Sequence, residues 1–508
     1  MATTRRALLG ATLATPALLA ARGAAAQGAT PGAAGGTLNI GVVSDPVTLD
    51  PAFSASFFET QVLYNLHETL LAARPDGSVV PGLASYEMAD PLRYVFTLRE
   101  NLVFHDGTVL DAAAVKANVD RYMDPASGSI RRADFGPLKD VTVTGPRSFE
   151  IALSAPYAPL PLVLTNRAGM IVSPTAVQRL GADFASQAVG AGPWKLASWT
   201  KNAELVLERF PGYWQGPPRN FDRLVYRPLP DETVRLANLR SGTLQLIDSV
   251  PPQAVAGLAR EAGVRVAQMP SLGFNAFAFN CTRAPFSDAR VRRAFTAAVD
   301  PEVIQRVVYF NTGRVAHGPL SPAVGWAFDE AQRGIPFDAV RAKAMLAEAG
   351  ANAPVPVTIT VTNSPQLVRI AQVLQAQAGA AGFRVEIRQI DPTSLITVLR
   401  QRDFDLCMAP WSGRYDPDGN TFNYFTKGGP NNFAGYDSAE VTTLLERARS
   451  EASPDARAVL YRQAQTKLVE DAPMLFLHFD AILQASSSRL RWTQYPDAVF
   501  RLFDATNT

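Results

Sequence analysis

VPVTITVTNSPQLVRIAQVLQAQAGAAGFRVEIRQIDPTSLITVLRQRDFDLCM, residues 355–408, switches repeatedly between two hydrophobic periods. Val355–Val361 alternates and is rich in β-branched residues, which predicts a strand. Val368–Ala380 carries its apolar residues at helical spacing. Phe383–Ile390 returns to alternation, Thr393–Leu399 reads as a helix, and Phe404–Met408 as a strand. Strands alternating with helices predict a parallel sheet built by crossovers.

The same grammar extends outward. Upstream, a block opens near Gly273 with a strand over 274–280. A turn holding Pro285 follows, then a helix begun by Asp288 that carries Val291, Ala294, Phe295 and Val299. A separate block starts at Thr37–Val43, an apolar strand ending in the turn Ser44-Asp45-Pro46. Residues 57–71 are predicted to be one helix, with Phe58, Val62, Leu63, Leu66 and Leu70 on one face. Asp111 is placed to cap a helix running through Tyr122. Tyr94–Leu98 reads as a strand, and Val141–Val143 with Phe149–Leu153 as a hairpin about Gly145-Pro146. Gly190–Trp194 opens another strand pair with Glu204–Glu208; a helix over 233–239 and a strand over 244–247 follow. Two α/β blocks joined by extended segments predict two lobes facing across a cleft.

Size agrees, since 508 residues exceed one compact core and 47% hydrophobic content is enough to bury more than one. The N-terminus has the grammar of an export signal. Arg5-Arg6 precede an Ala/Leu-rich stretch to about Ala21, and Ala24-Ala25-Ala26 offers a small-residue cleavage site. The paired arginines, the weakly apolar core and Arg22 near the cleavage site point to the twin-arginine route. Residues 1–26 are thus expected to be removed near Ala26 and residues 27–36 to form a flexible leader, leaving a protein in the periplasm. Without those 26 residues the chain has 45 basic and 46 acidic residues, a net charge of −1. That balance gives no electrostatic reason to expect nucleic acid as a partner. Cys281 and Cys407 sit in apolar strand-like runs and are expected to be buried free thiols.

Catalytic signatures are missing. No Lys precedes a Ser or Thr, so there is no phosphate-cradling loop of the Walker type, and neither G-x-S-x-G nor H-E-x-x-H occurs. The four histidines, His67, His105, His317 and His478, are scattered. No catalytic residue, metal ligand or cofactor is expected.

Four spaced motifs carry a resemblance. The first is Pro81–Tyr86, Tyr94–Arg99 and Phe104-His105-Asp106-Gly107-Thr108. The second joins Gly190–Trp194 to Ser198-Trp199 and Arg209–Trp214. The third is Phe279-Asn280-Cys281 with Phe286–Phe295, and the fourth Gly382–Glu386. From about Thr37 to the end the chain resembles the peptide/nickel class of extracellular solute-binding proteins, family 5, which serve ABC importers. The resemblance implies an α/β fold of the two-lobed periplasmic type II kind in its large three-part variant, with a two-strand hinge. Lobe I would be 37–270 plus 480–508, with an extra subdomain at about 68–176, and lobe II 272–478. The hinge strands would lie near Ala267–Phe279 and Met474–Leu483. It also implies a non-enzymatic monomer that encloses a small peptide-like or anion-bearing solute and delivers it to ABC permease subunits. A secreted hydrolase and a non-transport binding or chaperone protein on the same fold are the alternatives.

Ligand contacts are expected at strand-end loops facing the cleft. The richest loop follows the strand at 404–408 and supplies Trp411, Arg414, Tyr415, Asp416, Asp418 and Asn420. Ser44 and Asp45, after the first strand, and Phe274 and Asn275, at the start of the second block, complete the candidate set. Peptide-binding relatives place an Asp a few residues after the loop Trp to receive the ligand's amine; this chain has Arg414 there. Asp416 or Asp418 could take that role, or cap the turn with Arg414 paired to them. Nickel-binding relatives use a His in this loop, and this chain has none between His317 and His478.

Replacing Arg5 and Arg6 together by Lys is expected to leave unprocessed precursor in the cytoplasm on fractionation. A normal periplasmic yield of the double variant would leave only general secretion.

Overall fold

The computed structural model describes residues 35–508; the expected export signal and most of the leader lie outside the described residues. Two large sheets organise the molecule. The first has seven strands in the order Trp194–Thr200, Glu204–Arg209, Arg223–Pro228, Thr37–Val42, Leu246–Ile247, Ala481–Ser487, Val264–Pro270. Its centre is parallel, with Thr37–Val42 flanked in register by Arg223–Pro228 and Leu246–Ile247. The second has six strands in the order Arg314–Val315, Met474–Phe479, Asn275–Phe279, Leu406–Met408, Val355–Thr362, Phe383–Ile390. Here Val355–Thr362 runs parallel to both Phe383–Ile390 and Leu406–Met408, as the crossover pattern predicted.

The second sheet is buried on both faces, so its strands read as near-continuous apolar runs. Phe277, Phe279, Leu406 and Met408 face one core with Phe295, Ile370 and Leu374. The intervening Ala276, Ala278 and Cys407 face another with Phe425, Tyr461 and Leu468. The period of two thus divides one strand between two cores. Cys281 and Cys407 are free thiols. A smaller antiparallel sheet, Ala84–Asp90, Arg93–Leu98, Ser148–Leu153 and Leu138–Gly145, packs with helix Ala112–Met123 around Phe96, Val115 and Phe149. The Asp111 carboxylate caps that helix by accepting the Ala114 N–H.

The chain passes between the large sheets twice. Val264–Pro270 belongs to the first sheet and Asn275–Phe279 to the second; Met474–Phe479 belongs to the second and Ala481–Ser487 to the first. The two crossings touch through the Ser271 N–H, which donates to the Asp480 carbonyl (2.9 Å). Among the described residues no helix is long and apolar enough to cross a membrane.

One predicted element differs. The helix expected over 57–71 ends at Leu66, where His67 turns extended (φ −114°, ψ 147°), and Glu68–Thr69 and Leu71–Ala73 are strands. Leu66, Leu70 and Leu71 are all fully buried, so the apolar spacing reported burial correctly while the backbone changed conformation beneath it.

The C-terminal tail is fastened to that helix by Asn65, which is fully buried. Its amide donates to the Phe500 carbonyl (2.7 Å) and the Tyr226 hydroxyl (3.0 Å), and its Oδ1 accepts the Leu502 N–H (2.9 Å). Asn65→Ala is expected to destabilise the protein by about 1–3 kcal/mol, because buried backbone groups of the tail lose their partners. Denaturant unfolding would show a lowered midpoint; an unchanged midpoint would mean that the tail does not depend on Asn65.

Candidate functional site

Strand Leu406–Met408 delivers the loop that carries most of the candidate residues. After it, Trp411 and Phe274 exchange two backbone hydrogen bonds, of 2.9 and 3.0 Å. This antiparallel bridge ties the loop to the segment that crosses between the sheets. The approach needs two glycines. A Cβ on Gly273 would lie 1.8 Å from the Trp411 carbonyl oxygen. Gly413 has φ +83°, and a Cβ there would lie 2.2 Å from the Leu272 carbonyl carbon.

Asn420 then locks the loop from inside. Its Oδ1 accepts the Trp411 indole N–H (2.8 Å) and the Arg414 backbone N–H (2.7 Å), while its amide donates to the Arg414 carbonyl (2.8 Å). Asn420, expected from the sequence as a ligand contact, is fully buried, committed to the loop and not part of the cavity lining.

The loop forms one wall of a cavity of about 290 Å³. Trp411, Arg414, Tyr415, Asp416 and Asp418 all line it. The opposite wall comes from the part of the chain that holds the small sheet: Arg131, Asp134, Tyr157, Asn166 and Arg167. The walls meet where the Ala158 N–H donates to the Arg449 carbonyl (2.9 Å). None of the four histidines lines this cavity. Among the described residues no group of three or more His, Cys, Asp or Glu side chains is placed to hold a metal ion.

The two loop acids are already engaged. Arg457 donates to both oxygens of Asp416 (3.0 and 2.7 Å), with only 6% of either side chain exposed. Arg449 donates to both oxygens of Asp418 (2.9 and 2.7 Å). Asp416 also caps the turn by accepting the Asp418 N–H (2.9 Å). These fork-to-carboxylate pairs occupy the acids that the sequence offered as amine acceptors, and they use Arg457 and Arg449 rather than Arg414.

Arg414 itself is half-buried and lies over the Trp411 ring, 4.4 Å from its centroid. Its guanidinium donates to the Gly413 carbonyl (2.7 Å) and, among the described residues, makes no ion pair with a carboxylate. Burial lowers its pKa from the ordinary arginine value; Asp134 opposes that shift and Arg131 adds to it. Arg167 is 6% exposed and donates to the Ser56 carbonyl (3.0 Å) and the Ser54 hydroxyl (3.4 Å). Burial, then the neighbouring Arg131 and Arg414, bring its pKa down to about 10, so it too is charged at neutral pH.

Four other candidates stand elsewhere. Asp45 accepts from the Trp199 indole (3.1 Å) and the Asn202 N–H (3.0 Å), and Ser44 donates to the Asp45 carbonyl (3.3 Å), so that turn braces a neighbouring hairpin. The Phe274 side chain is 1% exposed, packed edge-on against Tyr424 and Phe476. Asn275 pairs in register with His478. None of the four lines the cavity. The sequence reading missed the opposite wall. Its one visible trace was Asn166-Arg167, a polar interruption between the apolar runs Leu160–Leu164 and Met170–Val172.

A sequence model of the bacterial extracellular solute-binding proteins, family 5 (middle region), matches residues 78–433. The chain belongs to this family. It is 29% identical over 458 residues to a probable D,D-dipeptide-binding periplasmic protein of Escherichia coli (strain K12), covering 87% of this chain and 88% of that one. It is 26% identical over 481 residues to a glutathione-binding protein of Shigella flexneri, covering 92% and 93%. Among solved structures, a periplasmic binding protein from Helicobacter pylori in complex with the peptide STSA superposes with a TM-score of 0.82 at 22% identity, covering 93% of this chain and 98% of that one. A binding protein from A. tumefaciens R10 in complex with agropinic acid gives 0.80 at 24%, covering 93% and 99%. The fold is therefore the two-lobed periplasmic binding protein fold of family 5.

The Asp416–Arg457 pair gives a test of this family-5 loop. Asp416→Ala strands a buried guanidinium and is expected to cost about 3–5 kcal/mol, whereas Asp416→Leu combined with Arg457→Met should recover most of it. Thermal melts of the three proteins decide; a single variant as stable as wild type would show the pair to be dispensable.

Proposed function

We propose that this protein is the exported solute-binding component of an ABC importer, and that it captures a small organic solute bearing an anionic group read by Arg414. The unpaired Arg414 guanidinium carries the reading. It lines the cavity while the two acids beside it are held by Arg457 and Arg449. A planar fork with donors only suits a carboxylate and cannot receive an amine. Trp411 and Tyr415 add flat apolar surface for the rest of the solute. The relatives' names, a D,D-dipeptide, glutathione and agropinic acid, all describe small solutes that carry carboxylates.

In this reading 37–270 with 480–508 form one lobe, with the extra subdomain at about 68–176, and 272–478 the other. They close about the two crossings near 270–275 and 479–481. Closure excludes water, which strengthens the charge-assisted contact, and makes capture a shift between open and closed populations. The closed monomer then presents itself to the permease in the inner membrane, after twin-arginine export and cleavage near Ala26. The cavity holds no histidine to activate a nucleophile, which favours binding over hydrolysis.

Solution scattering should show a smaller radius of gyration when the solute recovered from the native protein is added back. Calorimetry should show Arg414→Ala weakening binding by about thirtyfold or more, with Arg414→Lys recovering part, since a point charge lacks the fork. An Ala variant within about threefold of wild type would make Arg414 a turn-stabilising residue and remove the anion reading.

A further inference from the structure

The charges around the cavity do not balance. Its walls present the guanidiniums of Arg131, Arg167, Arg414 and Arg449, and Arg457 reaches Asp416 from behind. Against these five cations stand the carboxylates of Asp134, Asp416 and Asp418. Each carboxylate has one partner: Asp134 with Arg131 (2.9 Å), Asp416 with Arg457 (2.7 Å), Asp418 with Arg449 (2.7 Å). Arg167 and Arg414 remain, one on each wall. Burial drives the phenols of Tyr157 and Tyr415 well above their ordinary pKa, so neither supplies negative charge.

The wall of Arg131 and Arg167 is also short of acceptors. Arg131 is 8% and Arg167 6% exposed, and the buried Nε–H of each has no hydrogen-bond partner. Buried donors are ordinarily satisfied, and a buried charge is ordinarily paired. Two guanidiniums without a carboxylate partner line one cavity from opposite walls, and the missing counter-charge belongs to its ligand; the orphaned Nε–H groups lie beneath the cavity surface and add only to the cost of leaving that charge unpaired.

We infer that the solute carries two separate anionic groups, one held by Arg414 on the family-5 loop and one by Arg167 on the opposite wall: a dicarboxylate of roughly dipeptide size. This rests on the anion reading above and extends it. A diacid bridging the walls neutralises both within one molecule, so its second charge rewards the closed state. The cavity of about 290 Å³ limits the solute to about a dozen or two heavy atoms.

The probes are N-acetyl-alanyl-glutamate with two carboxylates, N-acetyl-alanyl-glutamine with one, and N-acetyl-alanyl-glutaminamide with none. Acetylation removes the amine, for which the site has no free acid. Isothermal calorimetry on the mature protein at fixed ionic strength should show affinity falling about tenfold or more at each step. Arg167→Gln should erase the diacid's advantage over the monoacid, bringing the two affinities within about threefold of each other. If Arg167→Gln fails to fold, the three probes on wild type decide alone. Equal affinities for diacid and monoacid, or no binding of the diacid at about 10 mM, would overturn the inference. If the diacid shows no advantage but Arg414→Ala still costs thirtyfold with the native solute, the single-anion reading survives and only the second anion is lost.

Discussion

Two backbone hydrogen bonds between Trp411 and Phe274 fix the position of the loop that forms one wall of the candidate site. They join the loop after a central strand to the segment by which the chain leaves one sheet for the other. Only Gly273 and Gly413 let those backbones approach closely enough. From that bridge the rest follows. Trp411 is held, Asn420 threads its amide between Trp411 and Arg414, and Arg414 is turned toward the cavity. The bridge lies beside the crossing and so ties the loop to the segment that joins the two sheets.

Electrostatics then separates support from recognition. Asp416 and Asp418 stand where the loop runs into the helix Asp418–Phe425, and both are consumed by bidentate pairs from helices behind them. Such pairs do little for net stability but are costly to break, so they fix the loop's conformation while withdrawing those acids from ligand binding. What faces the cavity unpaired is cationic. These cations repel one another, and under the proposed reading an anionic solute relieves that repulsion.

Much of the fold was legible because its signals are local. The alternation in Val355–Thr362 and Phe383–Ile390 and the caps Asp111 and Asp288 each report on a few neighbouring residues. The helix predicted past Leu66 failed because spacing reports burial, and Leu70 is equally buried in an extended segment. The family was legible from spaced motifs. The site was half legible: Trp411, Arg414 and Tyr415 were visible as a loop after a strand, but whether Asp416 and Asp418 were free depended on Arg449 and Arg457, tens of residues away. The opposite wall, Arg131 and Arg167, is brought in by tertiary contact alone. No local pattern distinguishes Arg167, buried and unpaired, from an ordinary surface arginine.

The most direct test is the chemical identity of what the protein carries. Native mass spectrometry of the protein purified from its own periplasm, followed by release and identification of the bound molecule, should show one small solute per chain carrying at least one carboxylate or equivalent anion. A bound solute that is cationic or uncharged at neutral pH would contradict the account.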